Sequence, residues 1–278
     1  MEIILPLFKD FSLQIGNISE SQENYPTGPL QKGLRLYDKG LELAEEGVGI
    51  GVPVIKQGLH TIFPGNIELI SQHKDNLWVI TALYKMNLEE RVGRQGQRSV
   101  SIGLVYKIKN FLAAIYRQYP ASRQLLTIIS NLIQWIFHWE TQYTKSKYNL
   151  DIKIVYSIQS QTGFVMVEVD TGNLPKDLIT EVVLMNEQGA NYFDCYQDSN
   201  GKFIKGKDIG AWDEVTAKTA AFLCLAHKVS FSLEQVKGAK LFSGRELVGS
   251  RLAWSGFGYS IPMTANKFNY QVKIESLP

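Results

Sequence analysis

The sequence predicts a mainly β protein of the α+β class, a large antiparallel β-sandwich or supersandwich interrupted by one inserted amphipathic helical hairpin. Three observations predict it. Short runs of alternating apolar and polar residues, separated by turn residues, fill the chain before Arg94 and again after Asn149. Between them the apolar period lengthens to that of a helix. The composition, 45% hydrophobic and 20% charged over 278 residues, is that of a folded globular chain and excludes disordered, collagen-like and low-complexity architectures. Sandwiches of this length commonly fold as one unit, so the reading is a single domain over 1–278 with the hairpin inserted over 98–145.

The first expected strands are 11–15, 34–37, 52–55 and 77–83. The run Glu45-Glu46-Gly47-Val48-Gly49-Ile50-Gly51-Val52-Pro53-Val54 is too rich in glycine and proline for a helix and reads as a bend feeding a strand. In the middle, Val100, Leu104, Val105, Ile108, Phe111, Leu112, Ile115 and Tyr119 fall at helical spacing, with Lys107, Lys109, Asn110, Arg117 and Gln118 on the other side. Pro120 stops that helix, and Ser122 opens a second through Leu125, Ile129, Leu132, Ile136 and Trp139. Strands resume at 152–158, 164–169, 182–185 and 192–196. Ser199-Asn200-Gly201 then reads as a hairpin turn into 203–204, because Asn-Gly tolerates positive φ at both central residues. The last strands are 220–225, 229–233, 251–254 and 270–274.

Charge is distributed unevenly. Eight basic residues (Arg94, Arg98, Lys107, Lys109, Arg117, Arg123, Lys145, Lys147) stand against Glu140 alone between Arg94 and Lys147, giving +7. The remaining 21 basic and 26 acidic residues sum to −5. No run of 18 apolar residues occurs, and the opening Met-Glu-Ile-Ile-Leu-Pro-Leu lacks the basic leader of a signal peptide, so a cytoplasmic location is expected. Cys195 and Cys224 sit in apolar or aromatic stretches and read as buried thiols. The four histidines lack ligand spacing, and no metal or cofactor is expected.

Most chemical motifs are missing. Gly47-Val-Gly49-Ile-Gly51 leads into Val-Pro-Val, so it lacks the helix N-terminus that a pyrophosphate needs. There is no phosphate loop, serine elbow or C-x-x-C pair. Asp198-Ser-Asn-Gly-Lys202 resembles the start of a calcium loop, but Lys202 stands where a ligand should.

The surviving candidates are carboxylates beside glycines and aromatics. Glu45 and Glu46 flank the glycine-rich bend, where backbone can approach a ligand closely; Glu187 and Asp213 complete the catalytic set. Trp212, Arg245, Arg251 and Trp254 are the candidate ligand-binding residues, since indole faces beside polar groups suit a sugar ring. Strand alternation would put Arg251 and Trp254 on opposite faces unless a bulge at Gly249 or Gly256 intervenes. The layout resembles the broad sandwich architecture of carbohydrate-processing proteins, a likeness of architecture without a family motif.

The expected function is therefore binding of a small carbohydrate-like molecule, with carboxylate acid/base chemistry of the lyase, isomerase or hydrolase kind and no nucleotide cofactor. The alternative is a non-enzymatic or lipid-handling protein whose basic hairpin, with Trp135 and Trp139, touches an anionic membrane weakly or covers an apolar cavity. Nucleic acid is not an expected partner, because the basic segment carries no recognition motif and the rest of the chain is acidic. The oligomeric state is left open.

Overall fold

A computed structural model describes residues 2–16, 30–58, 60–94, 139–248, 252–264 and 266–278. Eighteen strands occur among them. In chain order they are β1 (Glu2–Pro6), β2 (Phe11–Gly16), β3 (Arg35–Asp38), β4 (Leu41–Glu42), β5 (Gly49–Gln57), β6 (His60–Lys74), β7 (Leu77–Arg94), β8 (Trp139–Gln159) and β9 (Phe164–Asp170). They continue with β10 (Glu181–Gly189), β11 (Cys195–Asp198), β12 (Phe203–Lys205), β13 (Asp213–Glu214), β14 (Thr219–Cys224), β15 (Val229–Glu234), β16 (Lys240–Val248), β17 (Leu252–Pro262) and β18 (Lys267–Ser276).

The first four strands form a small sheet in sequence order. The other fourteen form one sheet in the order β12, β11, β14, β15, β18, β9, β8, β7, β6, β5, β10, β17, β16, β13. β17 and β18 stand seven places apart in that order, about 33 Å in a flat sheet. Yet the rings of Tyr259 on β17 and Tyr270 on β18 have centroids 4.9 Å apart. Phe257 on β17 likewise meets Phe222 on β14 at 5.0 Å and Phe231 on β15 at 5.6 Å. The sheet therefore folds over on itself, and its two halves face each other as a sandwich across a buried aromatic cluster.

The interior carries a polar tie. Tyr270 donates to Asn186 Oδ1 across the layers at 2.8 Å, and Gly51 N–H donates to the same oxygen at 3.1 Å. Tyr156 donates to Gly51 O at 2.9 Å and lies 2.9 Å from Tyr84, oxygen to oxygen. These bonds brace a β-bulge where Met185 pairs with Val52 but Asn186 pairs with Ile50, leaving Gly51 unpaired at φ +78°. A Cβ at Gly51 would sit 2.7 Å from the Tyr156 ring, so only glycine meets both the dihedral and the space.

The inserted helical hairpin expected over 98–145 is corrected. Among the described residues there is no α-helix, only a 3-10 turn at Gly206–Asp208. Trp139 and Glu140, expected to end the second helix, and 141–145, expected to close the insertion, instead open β8 and pair antiparallel with β7, from Arg94↔Trp139 to Leu88↔Lys145. The long β7 edge offers a full ladder of partners, and the Tyr143 and Thr144 side chains favour extended backbone over helix. Positions 98–138 of that expectation lie outside the described residues. Five strands carried no expectation: β1, the two-residue β4 and β13, β6, which bends through an irregularity at Pro64 and Gly65, and β16, which has Gly244 at its middle. Conversely, residues 192–194 precede β11 rather than belonging to it.

Candidate functional site

Strands β10, β17 and β16 run side by side in antiparallel register, so side chains at paired positions share a face. One face, turned to the aromatic interior, carries Asn186 and Gln188, then Phe257 and Ser255, then Ser243 and Arg245. The other carries Met185 and Glu187, then Gly258, Gly256 and Trp254, then Phe242, Gly244 and Glu246. On that outer face Trp254 lies directly across from Glu246 and diagonally from Glu187.

Glycines clear room on this face for a ring. A Cβ at Gly258 would lie 2.8 Å from Trp212 Cζ3, and one at Gly244 only 2.5 Å from the Trp212 backbone nitrogen. The indole of Trp212 rests on this floor and stacks on Trp254 with centroids 4.7 Å apart and planes 29° from parallel. Trp212 adopts φ +57°, a left-handed conformation that costs a side-chain-bearing residue about 1–2 kcal/mol. Such strain persists where surrounding contacts over-determine it, as the glycine floor and the stacked indole do here.

Glu187 is almost fully buried and accepts a hydrogen bond from Val48 N–H at 3.3 Å. Burial raises its carboxyl pKa to about 7; Glu246 adds to the rise, whereas the Val48 bond and the charge of Lys32 oppose it. Tyr143 on β8 senses the same carboxylate. Its phenol is pushed up chiefly by burial and then by the charges of Glu90 and Glu187. β8 and β10 are four places apart in the sheet, about 19 Å if flat, so this proximity means that the sheet curls toward the outer face. Phe63 on β6 packs edge-on against Tyr143 at 5.5 Å and extends the aromatic lining.

Lys32, only 1% exposed, acts on the same Glu187 carboxyl. Its ammonium donates to Glu45 O and ion-pairs with Glu42 at 3.7 Å. Burial lowers its pKa, and the neighbouring carboxylates Glu42 and Glu46 work against that fall. Glu46 is shifted upward by burial, with Lys32 opposing, and its Oε2 is a buried oxygen without a hydrogen-bond partner among the described residues. Two carboxyls shifted upward by burial thus share the neighbourhood of one ammonium group shifted downward by burial.

The expected site residues fall into separate places. Glu187, Trp212 and Trp254 come together on the outer face, and Glu46 lies near Lys32. Glu45 turns elsewhere: its Oε2 accepts from Asn191 Nδ2 at 2.9 Å and packs over Gly189. Asp213 pairs with Ser243, which puts it on the interior face beside Tyr196 rather than with Glu187. Arg245 is also on the interior face, where its Nη2 donates to Ala190 O at 3.0 Å. Arg251 lies outside the described residues. Lys32, Tyr143 and Glu246 join the outer-face group without having been singled out as site residues. Glu246 was visible beside Gly244, but nothing local ties Lys32 or Tyr143 to strands more than a hundred residues away or across three intervening strands.

No family model and no curated protein matches the chain. Among solved structures it is similar to ligand-free α-N-acetylgalactosaminidase NagBb from Bifidobacterium bifidum, at 8% identity and a TM-score of 0.46, covering 100% of this chain and 36% of that one. It is also similar to an α-mannosidase from Enterococcus faecalis V583, at 9% identity and a TM-score of 0.44, covering 98% of this chain and 29% of that one. The chain spans about a third of the length of these two enzymes. A galactose mutarotase-like protein from Lactobacillus casei ATCC 334 matches over 99% of both chains, at 10% identity and a TM-score of 0.42.

Proposed function

We propose that the protein binds a small carbohydrate-like molecule in the hollow of the outer face and exchanges a proton with it through Glu187. The observation that carries this reading is a buried carboxyl with a pKa of about 7 sharing one sheet face with the stacked Trp212 and Trp254. A carboxyl in that range is present in both protonation forms at neutral pH, so it can take a proton from a hydroxyl and return one. The indoles offer an apolar platform for the C–H face of a sugar ring, and Tyr143 supplies a phenolic donor. Lys32 stabilises the ionised form of Glu187, the form that is ready to take up a proton. The chemistry is acid/base catalysis of the isomerase, lyase or hydrolase kind, without a nucleotide.

The membrane reading loses its basis at one end of the basic segment, because Trp139 and Lys145 belong to a paired strand and not to an amphipathic helix. The proposal is tested by titrating tryptophan fluorescence with a panel of neutral hexoses and N-acetylated hexosamines, then following any sugar that binds by NMR for exchange or bond cleavage. Trp254→Ala should abolish binding. Glu187→Gln should keep binding within a few fold and slow conversion by about 10²–10⁴-fold. A panel that leaves the fluorescence unchanged, or a Glu187→Gln variant with full turnover, refutes the reading.

A further inference from the structure

We propose that a second site, for a small carboxylate, lies on the interior face of the same strands and is built from Arg245, Ser255 and Gln188. These three residues form a single cross-strand row: Arg245 pairs with Ser255 on β16–β17, and Ser255 pairs with Gln188 on β17–β10. Alternation points the row away from Glu187 and Trp254, so the inference does not rest on the function proposed above. Each member carries a buried polar atom with no hydrogen-bond partner among the described residues, namely Arg245 Nε, Ser255 Oγ and Gln188 Nε2. Ser255 and Gln188 are wholly buried. Buried polar atoms are nearly always paired, and three neighbours left open in one row mark a place where a partner is missing.

The chemistry of the open atoms specifies that partner. The Gln188 amide is oriented by Leu36 N–H, which donates to its Oε1 at 3.4 Å and so leaves the NH₂ end as the free one. Arg245 Nη2 donates to Ala190 O, and Nε–H is the guanidinium donor left open among the described residues. Burial works against the charge of Arg245, and Asp194 offsets it only in part, without an ion pair to Arg245 among the described residues. The row therefore presents a guanidinium edge, an amide NH₂ and a hydroxyl, all able to donate. A carboxylate can accept from Nε–H and from the amide and hydroxyl of the same row, and it brings the missing charge. The nearby Asp194 charge favours a monoanion over a dianion.

Thermal melts of the full-length protein at pH 7 with sodium acetate, sodium formate, inorganic phosphate, or sodium chloride at matched ionic strength test this. Acetate and formate should raise the melting temperature saturably, and chloride should not. Ser255→Ala removes an unpaired buried hydroxyl, so it should fold as well as the parent without acetate and yet bind acetate about tenfold more weakly. Arg245→Gln should lose the acetate response; if that variant fails to fold, Ser255→Ala decides. An absent acetate response, an unchanged affinity in Ser255→Ala, or phosphate acting as strongly as acetate overturns the assignment, the first of these meaning that water alone fills the row.

Discussion

At the scale of single residues, the outer-face hollow rests on groups placed where their ordinary chemistry is disfavoured. Glu187 has a folded pKa of about 7 against an ordinary value of 4.5, because burial penalises its charge. A raised carboxyl pKa means that its contribution to stability is complete below about pH 4.5 and is lost as the pH climbs through 7, by roughly 3 kcal/mol in all. Urea unfolding at pH 5 and pH 8 should show this loss in the parent and not in Glu187→Gln, which should be the more stable of the two at pH 8. Equal pH slopes in both proteins would show that burial does not act on this carboxyl. Gly258 makes a second prediction, since its missing Cβ leaves room for Trp212. Gly258→Ala should push the indole off Trp254 and weaken the coupled tryptophan signal in near-ultraviolet circular dichroism while the far-ultraviolet spectrum stays that of a β protein.

Among the elements, those with strong local punctuation were legible and those without it were not. The hairpin at Ser199-Asn200-Gly201 was readable because its turn carries its own chemistry. Gly201 sits at φ +85°, and Asp198 Oδ1 accepts from Asn200 N–H at 2.9 Å and from Lys202 N–H at 3.2 Å. Gly201→Ala should cost about 1 kcal/mol, read as a lower urea midpoint, and no change would mean that the turn tolerates a side chain. The start of β8 was misread for the opposite reason. Helical spacing of apolar residues continued to Trp139, and only pairing with β7, a partner distant in sequence before Arg94, makes the stretch a strand. β6 and β16 were missed because glycine and proline inside them look like boundaries, although in the sheet they mark bends and close approaches.

At the scale of the whole molecule, the two halves of the sheet depend on one aromatic interior. Phe257 is wholly buried and touches both Phe222 and Phe231 across the sandwich. Phe257→Ala should cost about 3–5 kcal/mol and lower a single cooperative transition observed by fluorescence and circular dichroism together. Two separated transitions in the parent would show instead that the halves unfold independently. Tyr270→Phe probes the polar tie between the layers: it leaves Asn186 Oδ1 with one donor fewer, which should cost about 1–2 kcal/mol in urea unfolding. An unchanged midpoint would place the strength of the fold in its aromatic packing alone.

By itself the sequence determined that this chain is largely a β protein of alternating strands, because period and turn chemistry are local properties of the residues. It also marked Glu46, Glu187, Trp212 and Trp254 as candidate groups, by residue type and by the glycines and aromatics beside them. Only the tertiary structure decided which of these meet. Strand register sent Arg245 and Asp213 to the interior face and Glu187 and Trp254 to the outer one. The folding of the sheet brought Lys32 and Tyr143, remote in sequence, to the carboxylate. The physical reason is that a strand alternates its side chains with period two, so one residue of register separates two faces, while the pairing that sets the register lies far away along the chain.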